Sequence, residues 1–223
     1  MHRRLFFNLS ILVIGLFCIK VVMAIEEPQY EVLLKEQNFE IRVYQPMLIA
    51  EVLVEGDMSE ASSKGFRLLA DYIFGKNEDP FKKRNQKINM TAPVIIEENF
   101  SQSISMTAPV VVQQESSHGT TWKLFFVMPK EYDLESIPKP KNSLINLVQL
   151  PKQYLAVSSF SGWVSHEKFE AKTAELMTWV GLKSYRSLGQ AQLSRYNPPW
   201  TLPFLRRNEV WVKLDVEHAG LMK

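Results

Sequence analysis

The sequence predicts an α+β fold in which a curved antiparallel sheet, closing into a distorted β-barrel, is flanked by two helices. Three observations support this prediction. Short runs with an apolar residue at every second position predict strands, and two segments with apolar residues three and four positions apart predict helices. Residues of the first strand-and-helix section recur 106 positions later. At 223 residues the chain can form one sizeable core, so we expect a single domain.

The first 24 residues predict a secretory signal peptide. His2-Arg3-Arg4 precedes an apolar run over residues 5–22, and Val22-Met23-Ala24 suits signal peptidase. We expect cleavage after Ala24, which leaves a single domain over residues 25–223 in the periplasm or outside the cell, with no stable membrane insertion. The alternative is an uncleaved membrane anchor, because the run approaches the roughly 20 residues that span a bilayer.

Composition disfavours several classes of protein. The chain has 26 Lys and Arg against 24 Asp and Glu, and this small excess predicts no nucleic-acid partner. The one cysteine, Cys18, lies in the signal segment, so the mature chain would have no disulfide and no thiolate ligand. We find no phosphate-binding loop, zinc-protease pair or nucleophile elbow. The sequence therefore predicts a binding protein without catalytic residues or a metal site.

The first half of the domain predicts three strands and a helix. The helix begins at Asp57 or Ser59, either of which can accept hydrogen bonds from first-turn amides, and ends at Gly75. The predicted strands cover residues 30–34, 39–44 and 47–54.

The second half contains further strands and a helix that includes Phe169, Leu176 and Val180, with Gly181 as its predicted end. The predicted strands cover residues 88–96, 104–113, 122–128, 144–150, 154–160, 192–196 and 209–214.

An internal repeat relates the two helical sections. Five residues recur at the same offset: Ala50, Gly56, Ser59, Gly75 and Pro93 return as Ala156, Gly162, Ser165, Gly181 and Pro199. They fall at turns, a helix cap, a helix end and a strand-end proline, where backbone geometry is demanding. We therefore predict a pseudo-twofold repeat in which residues 47–94 and 153–200 superpose, with a ligand-binding cleft between the halves.

Two motifs have both a structural and a functional interpretation. Met90-Thr91-Ala92-Pro93-Val94 returns as residues 106–110, either as two strand starts with methionines filling core gaps or as methionines lining an apolar pocket. Near the C-terminus, Arg206 and Arg207 either support the last strand, with Arg207 paired to Glu209, or bind an anionic group. The histidines that remain after cleavage are expected at the surface: His118, His166 and His218.

These motifs, in this order, resemble the SOUL heme-binding (HEBP) family over residues 30–214. The segments that carry the resemblance are Phe39-Glu40-Ile41-Arg42-Val43-Tyr44, Tyr72-Ile73-Phe74-Gly75-Lys76-Asn77, Lys87-Ile88-Asn89 with Met90 to Val94, Phe125-Phe126-Val127-Met128-Pro129, Phe160-Ser161-Gly162, Tyr196-Asn197-Pro198-Pro199, and Arg206-Arg207-Asn208-Glu209-Val210-Trp211.

The resemblance implies a pseudo-twofold barrel similar to the effector-binding domains of bacterial regulators. It also implies non-covalent binding of heme or another tetrapyrrole in an apolar groove beside the first helix, with basic residues near the propionates. Some members have histidine where this chain has Val43, and basic residues where it has Ser63 and Asp71. The candidate ligand-binding residues are Lys64, Phe66, Arg67, Leu69, Ala70, Ile73, Met90, Met106, Arg206 and Arg207.

These residues and the resemblance they carry are compatible with three functions. The first is an exported carrier or scavenger of heme, with weak affinity because no histidine or cysteine is placed to ligate the iron; a methionine thioether is the alternative ligand. The second is an effector-binding module for another amphipathic small molecule. The third is an envelope protein that uses the same surface to bind a peptide or lipid. The sequence predicts no oligomeric state.

Overall fold

A computed structural model of the chain describes residues 25–99 and 120–215. Within these ranges lie eleven strands, two helices and one short 3₁₀ turn. In chain order they are β1 (Tyr30–Glu36), β2 (Phe39–Tyr44), β3 (Met47–Glu55), α1 (Met58–Ile73), β4 (Asn77–Glu78), β5 (Val94–Glu98), β6 (Thr121–Val127), β7 (Lys139–Pro140), β8 (Asn146–Leu150), β9 (Gln153–Phe160), α2 (His166–Leu182), β10 (Ser187–Arg195), the turn Pro203–Leu205, and β11 (Asn208–Leu214).

The main sheet has nine antiparallel strands in the order β1-β2-β9-β11-β10-β5-β6-β3-β8, and β4 pairs with β7 separately. The α+β class with two helices is therefore confirmed. The closed barrel is not formed by the described residues, because β1 and β8 are the two edges of the sheet and do not pair with each other. Neither edge strand contains a fully buried residue: β1 is largely exposed, and β8 is partly buried.

The strands that follow each helix occupy equivalent places on the two sides of the sheet when β1 is set aside. Exchanging β3 with β9, β5 with β10 and β6 with β11 keeps both their neighbours in the sheet and their order in the chain, because β3-α1-β5-β6 matches β9-α2-β10-β11. Gly56 and Gly162 also have similar backbone conformations, because both have a positive φ angle, 133° and 97°. Gly181 does not match Gly75, however, and the duplication itself stays a prediction.

Helix α1 is bounded by the residues that the sequence favours. Asp57 caps it by accepting hydrogen bonds from the amides of Ser59 (2.8 Å) and Glu60 (2.9 Å), and Gly75 follows it with φ of 124°. The buried face of α1 includes Gly65, where an added Cβ would lie 3.0 Å from the Leu124 side chain. Glycine thus allows α1 to approach β6 closely.

Helix α2 is capped by Ser165, which accepts a hydrogen bond from the Lys168 amide at 3.3 Å. The predicted end at Gly181 is wrong, because the helix continues to Leu182 and the left-handed residue is Ser184, with φ of 60°. Gly181 has a helical backbone and no steric need to end the helix. Neither α1 nor α2 has the length and apolar character required to cross a bilayer.

Both helices pack on the same face of the sheet. Helix α1 lies mainly on β3 and β6, and α2 lies on β9, β11 and β10. On the other face, side chains such as Tyr44, Ile95, Phe125 and Trp211 form a second buried core. Because no described helix covers this face, the sheet must curl over it to exclude water.

Two predicted strands differ from the structure or lie outside it. The strand expected over residues 88–96 begins only at Val94, because Pro93 has no amide hydrogen to donate and the preceding residues make other contacts. Met90, which the sequence assigns either to a core gap or to the wall of an apolar pocket, is 38% exposed, so it does not fill a core gap. The strand expected over residues 104–113 lies outside the described residues.

Candidate functional site

The region between the two helices has an arginine at its floor. Phe126, Val94, Arg195 and Asn208 lie in register on the adjacent strands β6, β5, β10 and β11. Residues paired in this way point to the same face of a sheet. Phe126 belongs to the core beneath the helices, so Arg195 also points to the helix-covered face. It lies between the area covered by α1 and the area covered by α2.

Arg195 has no anionic partner among the described residues. Its side chain makes no hydrogen bond or ion pair there, and its Nε atom is fully buried without an acceptor. Burial, followed by the nearby positive charge of Arg206, lowers the pKa of Arg195. Arg195 as a whole is half-buried, and its buried Nε–H group destabilises the fold because it has lost water without gaining a compensating contact. A bound anion would supply that contact.

One side of this region is the flank of α1 that carries Phe66. The Phe66 ring is 36% exposed and meets Phe126 edge-on, with 5.5 Å between the ring centroids. Ala70 lies one turn further along the same flank and is half-buried. This wall therefore presents apolar surface next to the row that contains Arg195.

The other side is formed by the entry to α2 and the segment before β11. The guanidinium of Arg206 stacks on the Trp163 ring at 3.9 Å, and Trp163 is 66% exposed. The Asn208 side chain donates to the carbonyl of Gly162 at 3.1 Å, which keeps this segment beside the row of Arg195. We refer to Phe66, Ala70, Val94, Arg195, Trp163 and Arg206 as the interhelical groove.

The structure brings only some of the predicted residues to the interhelical groove. Phe66, Ala70 and Arg206 border it. Leu69 and Ile73 are 0% and 1% exposed and lie beneath α1 in the core, so they are not accessible to a ligand in this structure. The expected contact of these two residues with a ligand is not supported by their position.

The predicted basic residues of α1 do not face the groove. Lys64 is two positions from Phe66, which places it on the opposite flank of the helix, where it lies 3.7 Å from Glu60. Arg67 is exposed on the outer surface of α1. Met90 lies in the segment before β5, and Met106 lies outside the described residues. The groove's cations therefore come from β10 and the segment before β11.

Arg207 belongs to a separate polar cluster beneath the sheet. Its guanidinium lies 3.4 Å from the centre of the Tyr196 ring, contacts Glu27 and approaches Glu209 at 3.8 Å. The expected pairing of Arg207 with Glu209 is confirmed. Because carboxylates and an aromatic ring already surround it, Arg207 fits the structural interpretation better than the ligand-binding one.

Glu209 is the centre of this cluster and is 1% exposed. Arg42 donates to both its oxygens at 3.0 and 3.1 Å, and Tyr196 and Trp211 donate at 2.8 and 2.7 Å. Burial alone would lower the pKa of Arg42, but the charges of Glu209 and Tyr44 and the hydrogen bonds to them together outweigh burial, and the pKa is raised. Several residues that carry the sequence resemblance thus meet here, where they join β2 to β11.

The structure also contains a small cleft that shares no residue with the interhelical groove. It has a volume of about 240 Å³ and is lined by residues that include Glu26, Thr91, Met128 and Gln149. Its volume lies below the roughly 300 Å³ at which pockets for drug-sized ligands begin. We therefore do not assign the tetrapyrrole site to this cleft.

His166 is the one histidine among the described residues, and it is exposed as expected. Its Nε2 atom lies 3.2 Å from a Glu170 oxygen, and its ring meets Trp122 edge-on at 6.0 Å. In residues 25–99 and 120–215, no three His, Cys, Asp or Glu side chains come together in a way that would hold a metal ion. His118 and His218 lie outside these ranges.

Comparison with known proteins establishes the family. The model of the SOUL heme-binding protein family matches residues 25–101 and 95–213. The chain therefore belongs to the SOUL heme-binding protein family, as the sequence motifs indicate. No curated protein matches the chain.

Solved structures with the same fold have little sequence in common with this chain. The C-terminal domain of EcmrR is 9% identical, with a TM-score of 0.55 over 83% of this chain and 98% of that domain. A structure described as a hydrolase from Listeria innocua is 10% identical, with a TM-score of 0.52 over 82% of this chain and 94% of that one. At such identities the similarity shows the fold alone.

Proposed function

We propose that this protein binds heme or a related tetrapyrrole carboxylate, non-covalently, in the interhelical groove. Family membership supports the class of ligand. The observation that carries the assignment to this groove is the half-buried, unpaired Arg195 in the strand row of Phe126, which the exposed ring of Phe66 contacts. A tetrapyrrole combines a flat apolar ring with carboxylates, and both parts have a complementary surface here.

The groove residues fit this group chemically. Phe66 and Ala70 would contact the ring, and Arg195 would hold a propionate, since guanidinium matches carboxylate in a bidentate geometry. Bound heme would supply redox chemistry at its iron. None of the groove residues is a histidine or cysteine, so we expect micromolar or weaker affinity, with ring contacts and charge contributing most of the binding.

We further propose that the protein acts outside the cytoplasm as a carrier or scavenger, and not as an enzyme. The signal-like residues 1–24 support export. The mature chain should begin at Ile25, and the intact mass of the exported protein tests this. Retention of residues 1–24 in membrane-bound protein would replace cleavage with anchoring.

Heme titration followed by absorption in the Soret region tests the binding proposal. Phe66→Ser should weaken binding about tenfold, because it removes the exposed ring from the wall of the groove. Phe81→Ser is the matched control, since Phe81 is 74% exposed on the loop that follows β4, and its replacement should leave binding unchanged. Equal effects of the two substitutions would contradict this site. If heme does not saturate while another amphipathic carboxylate stabilises the protein, the effector-module function replaces the heme carrier.

A further inference from the structure

Six consecutive residues between β10 and β11 expose most of their apolar side chains. Trp200 is 83% exposed, Phe204 70%, Leu205 61% and Leu202 55%. We call Trp200–Leu205 the apolar loop. Large apolar side chains clustered on a surface usually mark a site of contact with a partner or a membrane. Tryptophan in particular favours the boundary between lipid and water.

The backbone of the apolar loop is held in place by hydrogen bonds. Gly162 donates to Pro203 at 2.9 Å, Thr201 donates to Pro198 at 3.0 Å, and Arg206 donates to the carbonyls of Pro199 and Thr201. These bonds fix the loop while its apolar side chains remain outside. The exposure is therefore built into the fold and is not the result of a loosely held segment.

The segment that contains the apolar loop is basic in sequence, and Arg206 is the arginine of this segment that stays at the surface without a carboxylate in the described part of the chain, since Arg207 contacts Glu27 and Glu209. Residues 187–208 contain no Asp or Glu, and they contain Arg195, Arg206 and Arg207. Arg206 follows the loop directly and has no carboxylate partner among the described residues. Apolar and aromatic side chains next to arginine are complementary to a bilayer surface with anionic headgroups.

The path of the chain places the apolar loop beside the point where the N-terminal segment joins the domain. Glu27 contacts the guanidinium of Arg207, two residues after the loop. In the sequence, the apolar run of residues 5–22 ends only a few residues before Glu27. Before cleavage, a membrane that holds this run would therefore lie on the same side of the domain as the apolar loop.

From these observations we infer that the apolar loop docks the domain on an anionic lipid bilayer, with Trp200 and Phe204 entering the interface and Arg206 facing the headgroups. This surface is distinct from the groove residues Phe66 and Arg195. Docking would bring the Arg206 side of the interhelical groove close to a bilayer, in which amphipathic ligands dissolve.

Vesicle binding without heme tests the inference. The chain from Ile25 onward contains all the strands and helices described above, so it keeps the complete core. Its sedimentation is measured with vesicles of phosphatidylcholine alone and of phosphatidylcholine mixed with phosphatidylglycerol. We expect binding to the anionic vesicles that weakens as salt increases, because salt screens the arginine contacts.

The decisive variant is Trp200→Ser combined with Phe204→Ser, which should reduce binding to anionic vesicles at least about tenfold. The matched control combines Phe81→Ser with Leu182→Ser, which removes two equally exposed apolar side chains elsewhere, 74% and 80% exposed, and should change binding less than about twofold. Circular dichroism verifies that each variant is folded. Absence of wild-type binding, or equal losses in both double variants, would overturn the inference. Because no heme is present, these outcomes are independent of the proposed ligand function.

Discussion

Replacing Arg195 with methionine should stabilise the ligand-free protein and weaken its binding of heme. Methionine keeps much of the apolar volume of the arginine stem and removes the guanidinium that has no partner. A stability gain combined with a loss of binding is expected of a residue kept for its ligand, because the unpaired charge is a cost to the fold alone.

The magnitude follows from the position of Arg195. A charge left unpaired in a fully buried site costs about 3–5 kcal/mol. Arg195 is only half-buried, so about 1–2 kcal/mol is a reasonable gain on removing it. For a domain of this size, that raises the melting temperature by about 2–8 °C. Loss of a hydrogen bond to a charged group, about 1.5–3 kcal/mol, weakens heme binding about 10-fold to 150-fold.

Thermal unfolding without ligand and heme titration measure the two effects in the same preparations. Arg67→Met is the matched control, because Arg67 is exposed on the outer surface of α1. We expect its stability to stay within about 0.5 kcal/mol of the wild type, with binding unchanged. If Arg195→Met is less stable than the wild type and binds heme normally, the guanidinium of Arg195 supports the fold and does not bind the ligand. If Arg67→Met loses binding, the site lies on α1 instead.

Three further predictions concern the fold. Glu209→Ala should cost about 3–5 kcal/mol in urea unfolding, because the buried Arg42 keeps only Glu40 as a carboxylate partner and the buried donors of Tyr196 and Trp211 lose their acceptor. A loss below about 1 kcal/mol would contradict the central place of Glu209. Gly65→Leu should destabilise the protein by about 1–3 kcal/mol, because the new side chain clashes with Leu124. Gly181→Ala has open space around it and should stabilise α2 by about 0.5–1 kcal/mol. Equal effects of the two substitutions would refute the close approach of α1 to the sheet. Burial raises the pKa of Tyr44, Tyr72 and Tyr196 above the ordinary value of 10.0, so their contribution to stability is complete below pH 10 and falls as the pH rises further. Ultraviolet titration should show these three tyrosines ionising only on unfolding. Ionisation of all seven tyrosines of the chain together near 10.0 would disprove their burial.

Local features of the fold can be predicted where one residue determines one backbone geometry. Asp57 caps α1 and Gly75 follows its end, since each supplies what a helix terminus requires. Gly181 is misleading because glycine permits a helix to end but does not force it. The open sheet cannot be predicted in this way, since the pairing of β5 with β10 joins residues about 100 positions apart and local patterns do not specify such pairs.

The candidate site is predictable only in part, for a similar reason. The family resemblance indicates Phe66 and Arg206, which border the groove. It also assigns Leu69 and Ile73 to the ligand surface, although their spacing from Ala61 and Gly65 is typical of the buried stripe. Sequence reasoning misses Arg195, but a signal is present. Leu193 is an apolar strand residue two positions earlier, and period-two alternation places Arg195 on the same buried face.

The central claim is that Arg195 recognises a carboxylate of a tetrapyrrole in the interhelical groove. The most direct test compares the dissociation constants of heme and heme dimethyl ester for the wild-type protein and for Arg195→Met. We expect the ester to bind the wild type at least about tenfold more weakly than heme, and this difference to disappear in the variant, because the charge contact is then absent in every case. An ester penalty of the same size in both proteins would contradict the claim and place the carboxylate elsewhere.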